Sequence, residues 1–176
     1  TFDKLGGGSV EDRAKAELAL SDASLALVQG LGAAVPLVLF SIPVGILVDR
    51  FHRVRLMLIL GLLWTAGTIF TAFASGSEML TLARMMTGLG ATGALTAALS
   101  LCADLCEPAR RGRAMLILNL GKAAGAALGF ALTGAVFGWL STKAIGAAWL
   151  GMAPWRATHI VLAGLSAMLL LPLIAM

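Results

Sequence analysis

The charged residues of this chain are few, and their positions limit the chemistry they can do. From Gly45 to Arg55 the sequence reads GILVDRFHRVR, so Asp49, Arg50, Arg53 and Arg55 form a charged knot between two apolar runs. A second knot combines Asp104 with Arg110, Arg111 and Arg113, again at the end of an apolar run. Two cations stand alone inside apolar runs: Arg84, and Lys122 with Asn119 one turn before it. Acids beside arginines at such boundaries can pair, and a pair that forms in only one helix arrangement acts as a latch. Cations deep in apolar surroundings need a partner or water and mark substrate pathways. Cys102 and Cys106 sit one helical turn apart with no His or Cys cluster nearby. They suggest neither a metal site nor a disulfide. No metal and no cofactor are expected.

The elements that must position these residues are membrane helices. Of the 176 residues, 59% are hydrophobic and 12% charged, with a mean hydropathy of +0.93. A soluble domain is about half apolar and about a quarter charged. Five apolar spans fall at 25–48, 56–74, 79–101, 114–140 and 157–176, each near the ~20 residues that cross ~30 Å of hydrocarbon. Pro36 and Pro43 lie in the first, which membrane helices tolerate. The expected fold class is therefore an all-α membrane protein with five transmembrane helices. Ser21 and Asp22 make a good helix start. Ser75-Gly76-Ser77-Glu78 reads as a tight connection with a capping box from Ser75 to Glu78. The loop 141–155 contains Lys143 and ends in Pro154-Trp155. Trp64, Trp139, Trp149 and Trp155 read as interfacial anchors. Residues 1–24 are polar, with a flexible Gly6-Gly7-Gly8-Ser9 and a mixed-charge stretch able to form a short helix. They read as a solvated connecting segment.

Arginine placement sets the orientation. The loops after the first and third spans hold three arginines each, and the loop between the second and third spans holds none. By the positive-inside rule the arginine loops are cytoplasmic and residues 1–24 external. The net charge of +4 then reflects topology, and no nucleic-acid partner is expected. An external N-terminal segment, a first residue other than Met and no signal-peptide pattern lead us to expect a piece of a longer chain with a further span upstream. An enzyme would need a nucleophile–base pair or a ligand cluster at one membrane face. His52 and His159 fall on opposite sides and supply neither.

Gly45-x-x-x-Asp49-Arg50-x-x-Arg53-x-Arg55 resembles the loop 2–3 signature of the major facilitator superfamily of secondary transporters. Asp104-Leu105-Cys106-Glu107-Pro108-Ala109-Arg110-Arg111-Gly112-Arg113-Ala114 is similar to its loop 4–5. Arg84 with Gly88 and Gly90 resembles its fourth helix, and Trp155-Arg156 resembles the start of its sixth. The segment from Leu20-Ser21-Asp22 to Gln29-Gly30 is also similar to the Spinster-like branch. The resemblance implies helices two to six of a twelve-helix fold, without the first helix and the C-terminal six-helix bundle. It implies a multi-pass protein of the bacterial cytoplasmic membrane that moves a small solute by alternating access. The alternative is a truncated fragment that does not transport. Three departures stand out. His52 occupies a glycine position, where a residue that tolerates left-handed backbone is expected. Phe130 and Thr133 replace the proline and first paired glycine of an antiporter pattern running over Gly125, Gly129 and Gly134. Ala91 stands where Spinster-like members often carry glutamate.

Asp49 ends a helix at its C-terminus, where the macrodipole disfavours an anion, and Arg50 or Arg53 is expected to offset it. The resemblance makes Gly45, Asp49, Arg50, Arg53 and Arg55 a conformational latch; the plainer reading is a stop-transfer boundary. Arg84 lies roughly 7 Å inside its span and Lys122 roughly 12 Å inside its own. The first can snorkel, whereas the second is too deep for it. No Asp or Glu lies deep in any span, so Arg84, Lys122 and Asn119 are expected to line a cavity for an anionic or amphipathic solute. Gly121, Gly125 and Gly129 read as a helix-packing stripe. His159 reads as a packed polar residue.

Overall fold

The computed structural model of the chain describes residues 10–142 and 151–174. Gly6-Gly7-Gly8-Ser9, Lys143 and Trp149 lie outside the described residues. A short α1 (Val10–Glu17) precedes α2 (Asp22–Arg50), α3 (Arg53–Ala72) and α4 (Ser77–Leu105). A 3-10 turn (Pro108–Arg110) leads into α5 (Arg111–Thr142), and α6 (Pro154–Ile174) ends the described chain. The helices from α2 to α6 are all long and apolar enough to span a bilayer.

Local chemistry sets the ends. The Ser21 hydroxyl accepts the Ser24 N–H at 3.0 Å and caps α2. Pro36 and Pro43 are accommodated inside that helix. The capping box expected from Ser75 to Glu78 does not form. Helix α4 starts at Ser77, which makes Gly76 the cap and leaves no side-chain oxygen to accept. Ser75 sits one residue too early, with its hydroxyl toward the Met79 sulfur. His52 likewise differs from expectation. It caps α3 with φ −64 and ψ 114, an extended conformation that needs neither glycine nor left-handed backbone. The left-handed residue is Ala19, at φ 50. There the Leu20 N–H reaches back to the Lys15 carbonyl at 3.0 Å, the six-to-one bond of a Schellman ending to α1.

The long helices pack in the order α2, α4, α3, α6, α5. Small residues allow the crossings. A Cβ at Gly32 of α2 would lie 2.5 Å from the Arg84 Cβ of α4, and one at Gly90 of α4 would lie 2.6 Å from the Leu60 carbonyl oxygen of α3. Between α3 and α6 the hydroxyls of Thr65 and Ser166 share a hydrogen bond at 2.9 Å. Val48, Leu56, Leu60 and Ala97 form a buried cluster at the arginine end of the bundle. At the opposite end Val28, Ala74 and Leu80 form another. Helix α5 contrasts with the rest: residues 119–132 are exposed throughout, and Phe130 is 82% exposed.

The segment read as a solvated connection is an ordered part of this fold. Ala14 of α1 is buried against Phe137 and Trp155, with Val10 and Leu18 beside it. Trp155, expected to be an interfacial anchor, is 1% exposed and belongs to this cluster. Its ring is covered because α1 lies over it.

Candidate functional site

At the arginine end, charge is placed against the helix dipoles. Arg53 is the first residue of α3, at the positive end, while Asp104 is one residue from the negative end of α4. Each is disfavoured by its own helix, and the two form an ion pair with each other. The pair joins the two arginine loops through residues well apart in sequence. This corrects the expected pairing of Asp49 with Arg50 or Arg53. Arg53 is directed to α4, and among the described residues Asp49 makes no ion pair. Arg50, Asp49 and Arg55 are exposed. Gly45 has open space where a side chain would stand. In the second knot Arg110 lies 3.8 Å from Glu107, and Arg111 donates from Nε to the Cys106 carbonyl at 3.2 Å. Arg113 is exposed.

The buried part of Arg84 sits at the closest crossing of α2 on α4, against Gly32. Its Nε is buried without a hydrogen-bond partner, and its terminal nitrogen lies 3.8 Å from Glu11 of α1. Lys122 and Asn119 lie on the open surface of α5, and Asn119 Nδ2 donates to the Met115 carbonyl of its own helix at 2.9 Å. The structure does not bring Lys122 to Arg84 among the described residues. A Cβ at Gly121, Gly125 or Gly129 would meet nothing within 4 Å. The close-packing glycines of this chain are those of α2, α3 and α4. His159 binds the Trp155 carbonyl through Nδ1 at 2.8 Å and meets the Trp155 ring edge-on at 6.0 Å.

A second polar centre lies at the end away from the arginine loops. Glu17 accepts from the Trp155 indole N–H and from Arg156 Nε, the latter at 2.9 Å. Arg156 also donates to the Ala72 carbonyl at 2.8 Å, where a cation meets the negative end of α3. Its guanidinium lies 4.5 Å over the Trp155 ring. Burial alone raises the Glu17 pKa, but the hydrogen bonds from Trp155 and Arg156 and the Arg156 charge outweigh it and hold it below the ordinary carboxylate value. Sequence reading noted Trp155-Arg156 as a motif but not its carboxylate partner, which lies 139 residues away.

Residues 10–176 match the family described as the Major Facilitator Superfamily. The chain belongs to that superfamily. Among curated proteins it is 33% identical over 97 residues to a probable 4-methylmuconolactone transporter of Cupriavidus pinatubonensis, a match covering 54% of this chain and 22% of that protein. Among solved structures it resembles a bacterial homolog of the human lysosomal transporter Spinster, solved inward-facing and unoccupied. That match has a TM-score of 0.79 at 24% identity and covers 94% of this chain and 37% of the other. The matched chain thus spans well under half the length of these relatives. As a superfamily member it is a multi-pass integral membrane protein, and its fold matches helices from one part of a larger transporter.

Proposed function

We propose that this chain forms helices two to six of a secondary transporter that moves a small anionic or amphipathic solute by alternating access. In this reading the first helix and a C-terminal six-helix bundle of the same transporter complete it, and membrane lipid surrounds it. The arginine end faces the cytoplasm and α1 the outside, by the positive-inside rule; a bacterial cytoplasmic membrane fits that placement. The observation that carries the reading is the Arg53–Asp104 pair. It ties α3 to α4 at the arginine end and leaves Asp49, Arg50 and Arg55 exposed. In that arrangement Gly45, Asp49, Arg50, Arg53 and Arg55, with Asp104, Arg110, Arg111 and Arg113, form the latch surface a second bundle meets. The open face of α5, with Lys122, Asn119, Gly121, Gly125 and Gly129, is where further helices of the same protein and the solute cavity belong. Arg84 and Lys122 supply its positive charge. The relative named as a 4-methylmuconolactone transporter supports a small organic solute.

The test is uptake of labelled small organic acids into proteoliposomes holding the full-length protein. Arg84→Ala and Lys122→Ala should each reduce uptake of the accepted acid at normal expression. Intact uptake in both variants removes these residues from the cavity. The absence of any uptake by well-folded full-length protein overturns the transport reading; the alternative, a truncated non-transporting fragment, is tested by whether the flanking coding sequence supplies the further spans.

A further inference from the structure

Helix α1 has eight residues, too few to be stable alone in water. An ion pair between Lys15 and Asp22 ties it to the start of α2, and further contacts hold it to the rest of the bundle. Ala14 packs into the Phe137 and Trp155 cluster, Glu17 binds Trp155 and Arg156, and Glu11 lies 3.8 Å from Arg84. Through these contacts about two turns of helix bridge the end of α5, the start of α6 and the inner arginine of α4. The fit is incomplete. A cavity of about 470 Å³, lined by Arg13, Glu17, Phe137 and Trp155 among others, remains between α1, the end of α5 and the start of α6. An element held by a few polar bonds over a partly empty seat can leave without unpacking the bundle.

We propose that α1 is an outer gate, and that Glu11 is a tethered stand-in for the carboxylate of the solute. The inference rests on the reading of Arg84 as a solute contact. The Arg84 guanidinium can donate either to the strap's own carboxylate or to an arriving anion. An anion that takes Arg84 displaces Glu11 and removes one of the contacts that seat α1, leaving the Glu17 clasp, the Ala14 packing and the Lys15–Asp22 ion pair to α2 among those that remain. Solute arrival on the outer side therefore weakens the gate, and an empty site keeps it shut. Glu17 acts differently. It touches no residue of the solute path and sets how firmly the strap is seated.

The test uses full-length protein in proteoliposomes, with Cys102 and Cys106 replaced by serine and Ala91→Cys as a reporter on the Arg84 helix. Labelling from outside by a membrane-impermeant maleimide reads the gate without needing transport. Glu11→Gln and Glu17→Gln should each speed labelling roughly fivefold, the change expected from loss of one partly exposed charged contact. A disulfide between Ala14→Cys and Phe137→Cys should stop labelling, with recovery on reduction. Glu11→Gln should also lower the concentration of anionic solute needed for half-maximal uptake, while Glu17→Gln leaves the ratio of that concentration between anionic and neutral solutes unchanged. Labelling that ignores both the isosteric substitutions and the tether overturns the gate. Should labelling respond while no solute is carried, the gate stands and the transport reading fails. An unchanged half-maximal concentration in Glu11→Gln overturns the stand-in role of Glu11.

Discussion

The two ends of this bundle handle charge in opposite ways. At the strap end, Glu17, Arg156, the Trp155 indole and the Ala72 carbonyl satisfy one another, and Glu11 reaches Arg84. At the arginine end a single inter-helix ion pair, Arg53–Asp104, is set among exposed charges. Both ends contain residues opposed or favoured by helix dipoles, yet only the strap end uses them in closed form: Arg156 meets the negative end of α3. At the arginine end Asp49 remains near the negative end of α2 and makes no ion pair among the described residues. One end is completed by its own chain, and the other carries charge suited to a further partner.

Both ends depend on the shared packing of α3 on α4, so the largest effect should come from there. Gly90→Ala places a Cβ 2.6 Å from the Leu60 carbonyl oxygen and 2.7 Å from the Trp64 nitrogen. Those are backbone atoms that cannot step aside. The substitution should cost ~1–3 kcal/mol and loosen both ends together, read as a lower thermal midpoint in detergent. Gly125→Ala, with nothing near its Cβ, should not lower it.

Arg156→Ala breaks the strap end alone. It removes the bonds to Glu17 and Ala72 and the cover over Trp155, worth about 2 kcal/mol for contacts of a charged group. Hydrogen exchange should rise across α1 while the arginine end keeps its protection. Asp104→Asn breaks the other end and should cost about 1 kcal/mol, since both partners are partly exposed. Its exchange signature should fall at the α3 start, and Arg53→Asp combined with Asp104→Arg should restore at least the native protection, because the swap places the carboxylate at the positive end of α3 and the guanidinium at the negative end of α4.

The smallest effect is a pH response. The Glu17 pKa is lowered on docking from its ordinary 4.5. A depressed carboxyl stabilises the docked state fully above the unfolded value and loses that contribution as pH falls through the folded one. Protection of α1 should therefore hold from neutral pH down to about 4.5 and decline in more acid solution. Glu17→Gln should remove that part of the decline. A fall already complete at pH 6 would assign the docking to another group.

The spans were legible because hydropathy alone marks them. The start of α2 was legible too, because Ser21 and Asp22 mark a cap; α6 instead begins at Pro154, ahead of the apolar run that marked its span. The arginine knots were legible as a surface, but the choice of partner was not. Asp49 is nearer to Arg53 in sequence, whereas the α3–α4 crossing presents Arg53 to Asp104. Helix α1 was legible as a short helix, but its docking onto the bundle was the largest omission. Its composition is that of a solvated segment, and the residues that hold it come from the far end of the chain. Periodicity and spacing carry no record of such contacts.

The separation of Glu17 from Arg156 also bears on how the protein is made. The 139 positions that separate them take on the order of ten seconds to synthesise at typical rates. During that interval α2 to α5 leave the ribosome while Glu17 has no partner for its clasp, because both Trp155 and Arg156 are still to come. Closure of the strap end is therefore a late event in assembly. Its completion reports that the last described helix has been inserted in register.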